Sequence, residues 1–318
     1  MRRSCRFMVK ACLVVVLATI AGACEVGSSS TEPSATAAPA AASPDANLTA
    51  ADWKPVQDAL GNAGTIMPGG VFRIGMARTD LKVSLDGVAL QPAFALGSYA
   101  AFVRHGSQAM AMGDLVLLES EVAGVAQGLL QAGIEVTAVH NHLLGESPHV
   151  LYMHYLAQGD AVKIARQLHA ALAGTGTPLG TPASAAAPAA IDGAALDQAL
   201  GLKGVVRGSI YSVSVGRGQP VILDNVILPP ATGVATVLNF EATGDGSVAI
   251  TGDFAMLPGE VSGVLSALHD GGIEVTALHS HMLMDAPHLL YAHFWARGDQ
   301  AALARGLRAA LDKTATAK

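Results

Sequence analysis

The sequence predicts an α+β fold built from two tandem homologous domains, each an antiparallel sheet with helices packed on one face. A long internal repeat predicts the two domains, and alternating strand-like and helix-like hydrophobic spacing within each copy predicts the fold class. The chain of 318 residues is 51% hydrophobic. Its longest uninterrupted apolar stretch, Ala11 to Ala23, is too short for a mature membrane span, which excludes a protein with several spans.

The internal repeat has an offset of 139 residues. Gly-Ile-Glu-Val-Thr-Ala-Val-His-Asn-His at 133–142 returns with two substitutions at 272–281, and Pro-His-Val-Leu-Tyr-Met-His at 148–154 returns at 287–293. We therefore predict a signal peptide (1–23), a disordered Ala/Ser/Pro tether (24–50), a first repeat domain (51–172), an Ala/Pro/Gly linker (173–191), a second repeat domain (192–312) and a C-terminal tail (313–318).

Each copy is predicted to contain strands, a helix, two more strands and a final helix. Alternating residues around His105-Gly-Ser predict a hairpin over 99–112, and a Gly-Asp-Gly turn predicts its counterpart over 237–250. Helical spacing covers 121–131 and 260–269. In the first copy the remaining predicted elements are strands near 71–76, 81–90, 134–143 and 149–155, and a last helix capped by Asp160.

The N-terminus is typical of an export signal. Four basic side chains within residues 1–10 precede the apolar stretch, which ends in Ala21-Gly-Ala-Cys24. We expect an exported protein of the cell envelope or periplasm, lipid-anchored at Cys24; cleavage by an ordinary signal peptidase before Cys24 is the alternative. All three cysteines lie within the first 24 residues, so neither repeat contains a thiol.

The charge balance limits the partners. Residues 1–23 contain no acidic side chain, so the rest of the chain has 15 basic and 25 acidic side chains. Nucleic acid is excluded as a partner because phosphate binding needs clustered Lys and Arg. Contact with a membrane is expected only through the N-terminal anchor, and a small polar ligand or an envelope protein remains a candidate partner.

Histidine is the residue type that suggests chemistry. Eight of the 11 histidines lie in two copies of the spacing His-x-His-x6-His-x4-His. Strand alternation places His140 and His142 on the face of Val136 and Ala138, and the following turn is expected to bring His149 opposite His142. Two ligands from one strand and a third from its neighbour suit zinc, copper or ferrous iron. The predicted metal ligands are His140, His142, His149, His279, His281 and His288.

Several neighbouring side chains are candidates for supporting roles. Glu146 and Asp285 are candidate extra ligands or proton acceptors, and Tyr152 and Tyr291 are candidate hydrogen-bond partners of the ligands. His154 and His293 are expected on the opposite face from His149 and His288, where they would cap a strand or face the last helix.

The Gly-Asp pairs at 113–114 and 252–253 also match between the copies. Asp114 and Asp253 are either acids near the site or turn residues, and the turn is the favoured interpretation.

The repeated motif resembles that of the LppY/LpqO family of mycobacterial lipoproteins. The resemblance rests on the segments at 133–160 and 272–299 and covers both repeats. It implies an exported or surface-anchored bacterial protein with a duplicated domain of unknown function. It implies no activity, cofactor or catalytic residue, so the metal hypothesis rests on the histidine spacing alone.

Two functional hypotheses follow. In the first, each repeat has a histidine-lined pocket that binds a transition metal or a small polar ligand, with hydrolytic or oxidative chemistry at metal-bound water or an open coordination position. In the second, the protein is a non-catalytic envelope module that binds a saccharide, a peptide or a protein, and its histidines are structural. Packing of the repeats through their sheets about a pseudo-twofold axis would merge the two clusters into one cleft.

Overall fold

The protein contains two six-stranded antiparallel sheets, one from each repeat, as the sequence predicts. The computed structural model describes residues 41–180 and 191–317. The predicted signal peptide, the site of Cys24 and most of the predicted tether lie outside these residues. No helix within 41–180 or 191–317 has the length and hydropathy of a membrane span.

The first repeat contributes eight strands and four helices to the described chain. In chain order they are α1 (Ala50–Leu60), β1 (Gly64–Met67), β2 (Val71–Ala77), β3 (Ser84–Leu85), β4 (Val88–Ala89), α2 (Pro92–Ala95), β5 (Gly97–His105), β6 (Gln108–Leu118), α3 (Glu119–Gln131), β7 (Glu135–His140), β8 (Val150–Gly159) and α4 (Ala161–Leu172).

The second repeat follows the same plan. Its elements are α5 (Gly193–Leu200), β9 (Val205–Arg207), β10 (Ile210–Val215), β11 (Val221–Leu223), β12 (Val226–Leu228), a 3-10 turn (Pro230–Thr232), β13 (Thr236–Ala242), β14 (Val248–Met256), α6 (Val261–Asp270), β15 (Glu274–His279), β16 (Leu290–Gly298) and α7 (Gln300–Leu311). The predicted hairpins and helices are all present, whereas α1, α5 and the edge strands β1 and β9 were not predicted.

The spatial strand order is β1-β2-β5-β6-β8-β7 in the first sheet and β9-β10-β13-β14-β16-β15 in the second. Three helices cover one face of each sheet. Trp53 of α1, Leu129 of α3 and Leu168 of α4 pack with sheet residues in the first core, and α5, α6 and α7 form the second core in the same way. Asp160 accepts a hydrogen bond from the Lys163 backbone N–H and caps α4, as predicted.

The other face of each sheet is covered by the other repeat. The short hairpin β11–β12 places Val221, Leu223, Val226 and Leu228 in one apolar cluster with residues of the first sheet. The hairpin β3–β4 packs reciprocally in a cluster with Ile210, Ala249 and Trp295 of the second repeat. The two repeats therefore face each other through their sheets, and residues 41–180 and 191–317 belong to one compact unit.

Polar contacts fix the exchanged hairpins at their turns. The Trp295 indole N–H donates to Asp86 Oδ2 over 2.8 Å, and Gln158 Nε2 donates to Asp224. Asp86 and Asp224 have positive φ angles of 51° and 46° at the two hairpin turns. The described end of the predicted tether also contacts this unit, because Ala42 forms a bridge with Val226.

A β-bulge decides which way the histidines point. Val136 pairs with Tyr155, but Ala138 pairs with His154, so Thr137 is an extra residue in β7. Val136 consequently packs against the helix-side core, while Ala138 lies beside His154. The expectation that His140 shares the face of Val136 is therefore corrected. The same bulge occurs in β15 at Thr276.

The buried Glu241 makes a testable contribution to the contact between the repeats. Burial raises its pKa from 4.5 to about 7, and its Oε2 accepts only a long hydrogen bond from the Gln91 backbone N–H. Because the folded pKa of Glu241 exceeds its unfolded value, the stability associated with the protonated carboxyl is fully present below pH 4.5. It is lost as the pH rises through 7 and the buried carboxyl ionises. We expect Glu241→Gln to raise the free energy of unfolding by about 3 kcal/mol at pH 8 and by almost nothing at pH 4. Denaturant unfolding at both pH values measures the difference.

The exposed Glu135→Gln variant is the control and should change stability little at either pH. A Glu241→Gln gain that is equal at pH 4 and pH 8 would contradict the explanation by burial.

Candidate metal centre

Six histidines and two aspartates converge between the two sheets. Three histidines and one aspartate come from each repeat, and the members of each group occupy equivalent positions at the offset of 139. We call this the histidine–aspartate cluster; its members are Asp114, His140, His142, His154, Asp253, His279, His281 and His293.

The register of three adjacent strands places each half of the cluster. Asp114 of β6 pairs with His154 of β8, and His154 pairs with Ala138 of β7. His140 and His142 continue the row beyond Ala138, because the bulge has turned this part of β7 toward the other sheet. In the second repeat Asp253, His293 and Ala277 pair in the same way.

Hydrogen bonds between the repeats hold the two halves together. The Thr137 hydroxyl donates to the His281 carbonyl oxygen over 2.6 Å, and Thr276 donates to the His142 carbonyl oxygen. Asn141 Nδ2 donates to the Thr276 carbonyl oxygen over 2.9 Å. The bulge residues therefore connect the two motifs directly, and the sequence motif Val-Thr-Ala is explained by this contact.

The imidazole rings pack closely across the boundary between the repeats. The centroids of His140 and His279, which are equivalent residues, lie 3.7 Å apart. The His142 and His293 centroids are also 3.7 Å apart, and those of His154 and His281 are 3.9 Å apart. The three closest pairs of imidazole rings thus each join one repeat to the other.

Backbone carbonyls fix the orientation of four rings. Carbonyl oxygens of Asn141, Gly113, Gly233 and Gly252 lie 2.8–3.2 Å from the Nδ1 atoms of His140, His154, His281 and His293, in that order. A carbonyl oxygen only accepts, so Nδ1 carries the proton in each neutral ring. The Nε2 atom of each of these rings therefore presents a lone pair to the interior of the cluster.

These interior nitrogens lack partners. The four Nε2 atoms are buried, and none has a hydrogen-bond partner in the part of the chain that the structure describes. Two imidazoles approach a carboxylate without forming a hydrogen bond: His142 Nε2 lies 3.1 Å from Asp114 Oδ2, and His281 Nε2 lies 3.0 Å from Asp253 Oδ2. Both ring nitrogens of His279 lack a partner within the same residues. Such a concentration of unsatisfied buried nitrogens is unusual for a folded protein.

Three groups within the cluster have the spacing of metal ligands. In each group the candidate ligand atoms lie within 4.8 Å of one another. The groups are His140, His142 and His293; His140, His154 and His279; and Asp253, His279 and His281. Each of the first two groups takes side chains from both repeats, so the cluster is one composite site rather than two separate pockets.

Burial keeps the imidazoles neutral. It lowers the pKa of His140 and His281 to about 4 and that of His142 and His154 to about 3. Burial also lowers the pKa of His279 and His293, and the neighbouring histidines lower it further. At neutral pH all six rings are therefore in the form that binds a metal ion.

The two aspartates differ. Burial favours the neutral form of both, but the facing His154 and His142 hold the pKa of Asp114 below its ordinary value. Burial raises the pKa of Asp253 to about 7, and the charge of Asp114 raises it further. One carboxylate thus carries the negative charge of the site, and the other gains a proton near neutral pH.

The structure does not bring His149 or His288 to the cluster. Their side chains are 47% and 44% exposed, and each Nδ1 contacts a carboxylate, Glu146 at 2.7 Å and Asp285 at 2.8 Å. Tyr152 and His154 define the cluster-facing side of β8, so residue 149 is out of phase with it. The expected placement of His149 opposite His142 is corrected for this reason, and the same holds for His288.

The candidate supporting residues are also placed differently from the expectation. His154 and His293 belong to the cluster and neither caps a strand nor faces the last helix. Tyr152 and Tyr291 stack on His142 and His281 with centroids 3.3 and 3.4 Å apart, and the Tyr152 hydroxyl donates to the Ala95 carbonyl oxygen instead of a histidine. Glu146 and Asp285 contact the exposed histidines only, among the histidines of the described chain.

Asp114 and Asp253 were the residues that sequence reasoning undervalued. The favoured interpretation as turn residues is wrong, because both lie in the middle of long strands. The glycine before each of them suggests a turn in sequence, but the structure gives it a different role. A Cβ on Gly113 would collide with the Tyr99 carbonyl oxygen, and one on Gly252 would collide with that of Val237. Glycine is therefore required there by a close approach of two strands and not by a turn.

The chain belongs to the family described as Domain of Unknown Function (DUF1259), whose model matches residues 54–174 and 194–313. These two matches are the duplication seen in the sequence. No curated protein matches the chain.

Similar solved structures include EtuB from Clostridium kluyveri and a trimeric bacterial microcompartment shell protein PduB, each 12% identical. Each alignment covers 80% of this chain. The EtuB alignment covers 90% of the EtuB chain with a TM-score of 0.20, and the PduB alignment covers 91% of the PduB chain with a TM-score of 0.21. Similarity at this level supports no conclusion about function.

The glycine requirement gives a test of the cluster's geometry. We expect Gly113→Ala to destabilise the protein by about 1–3 kcal/mol, because the strands must separate and displace the carbonyl that orients His154. Gly75→Ala is the matched control in β2 of the same sheet, where a Cβ meets nothing within 4 Å, and it should change stability by less than about 0.5 kcal/mol. Equal effects of the two variants in denaturant unfolding would contradict the assigned role of Gly113.

Proposed function

We propose that the protein binds a transition-metal ion in the histidine–aspartate cluster and that the two repeats build this centre together. The single observation that carries the proposal is the set of buried Nε2 atoms in the cluster that have no hydrogen-bond partner among the described residues. Metal ions bound among these nitrogens would take them as ligands, whereas a network of structural histidines would pair each nitrogen with a donor or an acceptor.

The arrangement of the ring nitrogens supports metal binding over a purely structural role. Each unsatisfied buried nitrogen costs about 1–3 kcal/mol, so several of them together consume much of a domain's stability. The Nδ1 contacts to backbone carbonyls are the outer contacts that orient metal-binding imidazoles in proteins. Neutral imidazoles need no deprotonation before they bind a metal ion at neutral pH.

The donor set points to a class of metal. Imidazole nitrogen and carboxylate oxygen suit zinc, copper(II) and ferrous iron, and neither repeat contains a cysteine to favour a softer ion. The pseudo-twofold relation supports up to two ions per chain, one beside Asp114 and His142 and one beside Asp253 and His281. Asp114, Asp253, His142 and His281 also line a cavity between the sheets, so a bound ion has an open side for water or a ligand.

We also propose that the protein is exported and lipid-anchored at Cys24. Residues 1–24 support this proposal through their basic start, apolar stretch and small residues before Cys24. The resemblance of the repeated motif to the LppY/LpqO lipoproteins supports it independently. An anchor at Cys24 would leave the metal centre on the outer side of a membrane.

Metal binding is tested by two variants within the same motif. We expect purified mature protein to bind Zn²⁺, and His154→Ala to weaken the affinity by more than the roughly 10–100-fold that loss of an outer contact costs. His149→Ala is the matched control and should leave the affinity unchanged, because His149 lies outside the cluster. Isothermal titration calorimetry on metal-free protein measures both affinities.

A fold check accompanies this test. Circular dichroism should show that His154→Ala and the conservative His154→Gln both retain native secondary structure. Loss of Zn²⁺ affinity in His149→Ala but not in the His154 variants would contradict the composite centre, as would mature protein that binds none of zinc, copper and iron.

The anchor proposal predicts a change in membrane association. Full-length protein expressed in a bacterium that processes lipoproteins should be found in the membrane fraction, and Cys24→Ser should move it to the soluble exported fraction. Detergent-phase partitioning and mass spectrometry of the N-terminus measure the change. Equal partitioning of the two proteins, with no lipid on Cys24, would contradict the anchor.

A further inference from the structure

The cavity beside the histidine–aspartate cluster has features that metal binding alone does not require. Its volume is about 470 Å³, within the range of small-molecule sites, and it lies between the facing sheets. Asp114 and Asp253 line its inner end, and the exposed Pro68 and Arg207 lie at its outer end. A molecule bound in it would therefore extend from the solvent to the cluster.

Arg73 gives the cavity a positive charge, although the charge of Asp114, which lines the same cavity, raises the pKa of Arg73 from a distance. Its guanidinium lies over the Tyr99 ring, 3.5 Å from the centroid, and its Nη1 donates to the Ala231 carbonyl oxygen over 2.8 Å. In the described residues Arg73 forms no ion pair with an acidic side chain. The remaining guanidinium N–H groups are therefore available to a ligand, in the forked arrangement that suits an oxyanion.

A second arginine strengthens this charge. Arg207 of β9 lines the same cavity, and its charge lowers the pKa of Arg73 after the larger effect of burial. The positive charges of two guanidinium groups that face one cavity repel each other. An anion between them removes that repulsion.

The opposite wall carries a row of polar side chains. Ser212, Asn239 and Thr251 are neighbours across β10, β13 and β14, and all three line the cavity. The Ser212 hydroxyl donates to Asn239 Oδ1 over 2.8 Å, which orients the Asn239 amide with its N–H groups toward a ligand.

This row breaks the symmetry between the repeats. The equivalent row in the first sheet is Arg73, Ala101 and Met112, which are neighbours across β2, β5 and β6. Ala101 and Met112 are buried under the hairpin β11–β12. Arg73 and the three polar residues of the second sheet line the cavity, whereas Ala101 and Met112 do not. The two rows therefore differ in residue identity where a ligand would bind, whereas the cluster residues are identical in the two repeats.

We propose that this cavity binds a small hydroxylated organic anion, a polyol bearing a carboxylate or a phosphate, with the anionic group on Arg73 and hydroxyl groups along Ser212, Asn239 and Thr251. The inference rests on the proposed function, because the end of the ligand opposite its anionic group would reach the metal centre. The two arginines select the anion, the polar row selects hydroxyl groups, and the metal ion contacts the ligand from the inner end of the cavity.

The test compares charged and neutral probes on the mature protein. Gluconate and glycerol 3-phosphate represent the two anionic groups, and sorbitol is the neutral control; calorimetry follows each in Zn²⁺-loaded and in metal-free protein. We expect at least one anion to bind at least tenfold more tightly than sorbitol, and more tightly in the loaded protein. The preferred anion identifies the head group as carboxylate or phosphate.

Arg73→Met and Arg104→Met provide the matched pair of variants. Arg104 lies 4.9 Å over the Trp53 ring, so both substitutions remove a guanidinium stacked on an aromatic ring, but Arg104 does not line the cavity. We expect Arg73→Met to lower anion affinity at least tenfold and Arg104→Met to leave it unchanged, with Zn²⁺ affinity retained in both.

The failures of the two proposals are distinguishable. Protein that binds Zn²⁺ but no anion, or whose anion affinity survives Arg73→Met, overturns the ligand proposal alone. Protein that binds an anion through Arg73 but binds no metal ion overturns the metal centre and, with it, the assigned orientation of the ligand.

Discussion

Each six-stranded sheet has two faces to bury, and its own helices cover only one of them. The second face is covered by the other repeat, through the exchanged hairpins β3–β4 and β11–β12. Apolar burial of this kind is the main favourable term in folding, so neither repeat is complete without its partner. The facing of the two sheets then leaves an interior that is not fully apolar, and the histidine–aspartate cluster occupies it.

Burial of the cluster is unfavourable for folding unless a cation binds to it. Six neutral imidazoles are buried next to two carboxylates, and most of the inward ring nitrogens have no partner in the described chain. Natural proteins retain such arrangements where they serve a function. A metal ion would convert the same atoms into ligands and would offset the cost of their burial, and it would link the two repeats by bonds in addition to their packing.

The fold was largely predictable from the sequence, and the site only in part. The repeat follows from the constant offset of 139 residues. The hairpins, helices α3 and α4 and their equivalents in the second repeat follow from hydrophobic spacing, which is a local property of the chain. The direction of His140 depends on a bulge at Thr137, which the pairing of β7 with β8 and the contact of Thr137 with the other repeat reveal and the sequence does not. The expected turn after His142 made His149 a predicted ligand, and two-residue alternation along the next strand then placed His154 on the opposite face.

Other parts of the site depended on long-range packing for the same reason. Gly113 before Asp114 resembles a turn in sequence, and only the close Tyr99 backbone reveals a strand. The merging of two motifs into one centre was anticipated as one outcome of pseudo-twofold packing. The residues that make up this centre were not anticipated, because their convergence depends on the strand register of both sheets. Arg73, 40 residues before the nearest motif, had no sequence signal that connected it to the histidines.

The most direct test of the composite centre is anomalous diffraction at the zinc absorption edge from crystals of mature protein grown with Zn²⁺. We expect a zinc peak between the sheets, at a position where ring nitrogens from both repeats bind the ion and His142 and His293 share it. Peaks confined to the exposed His149–Glu146 and His288–Asp285 pairs, with none between the sheets, would contradict it.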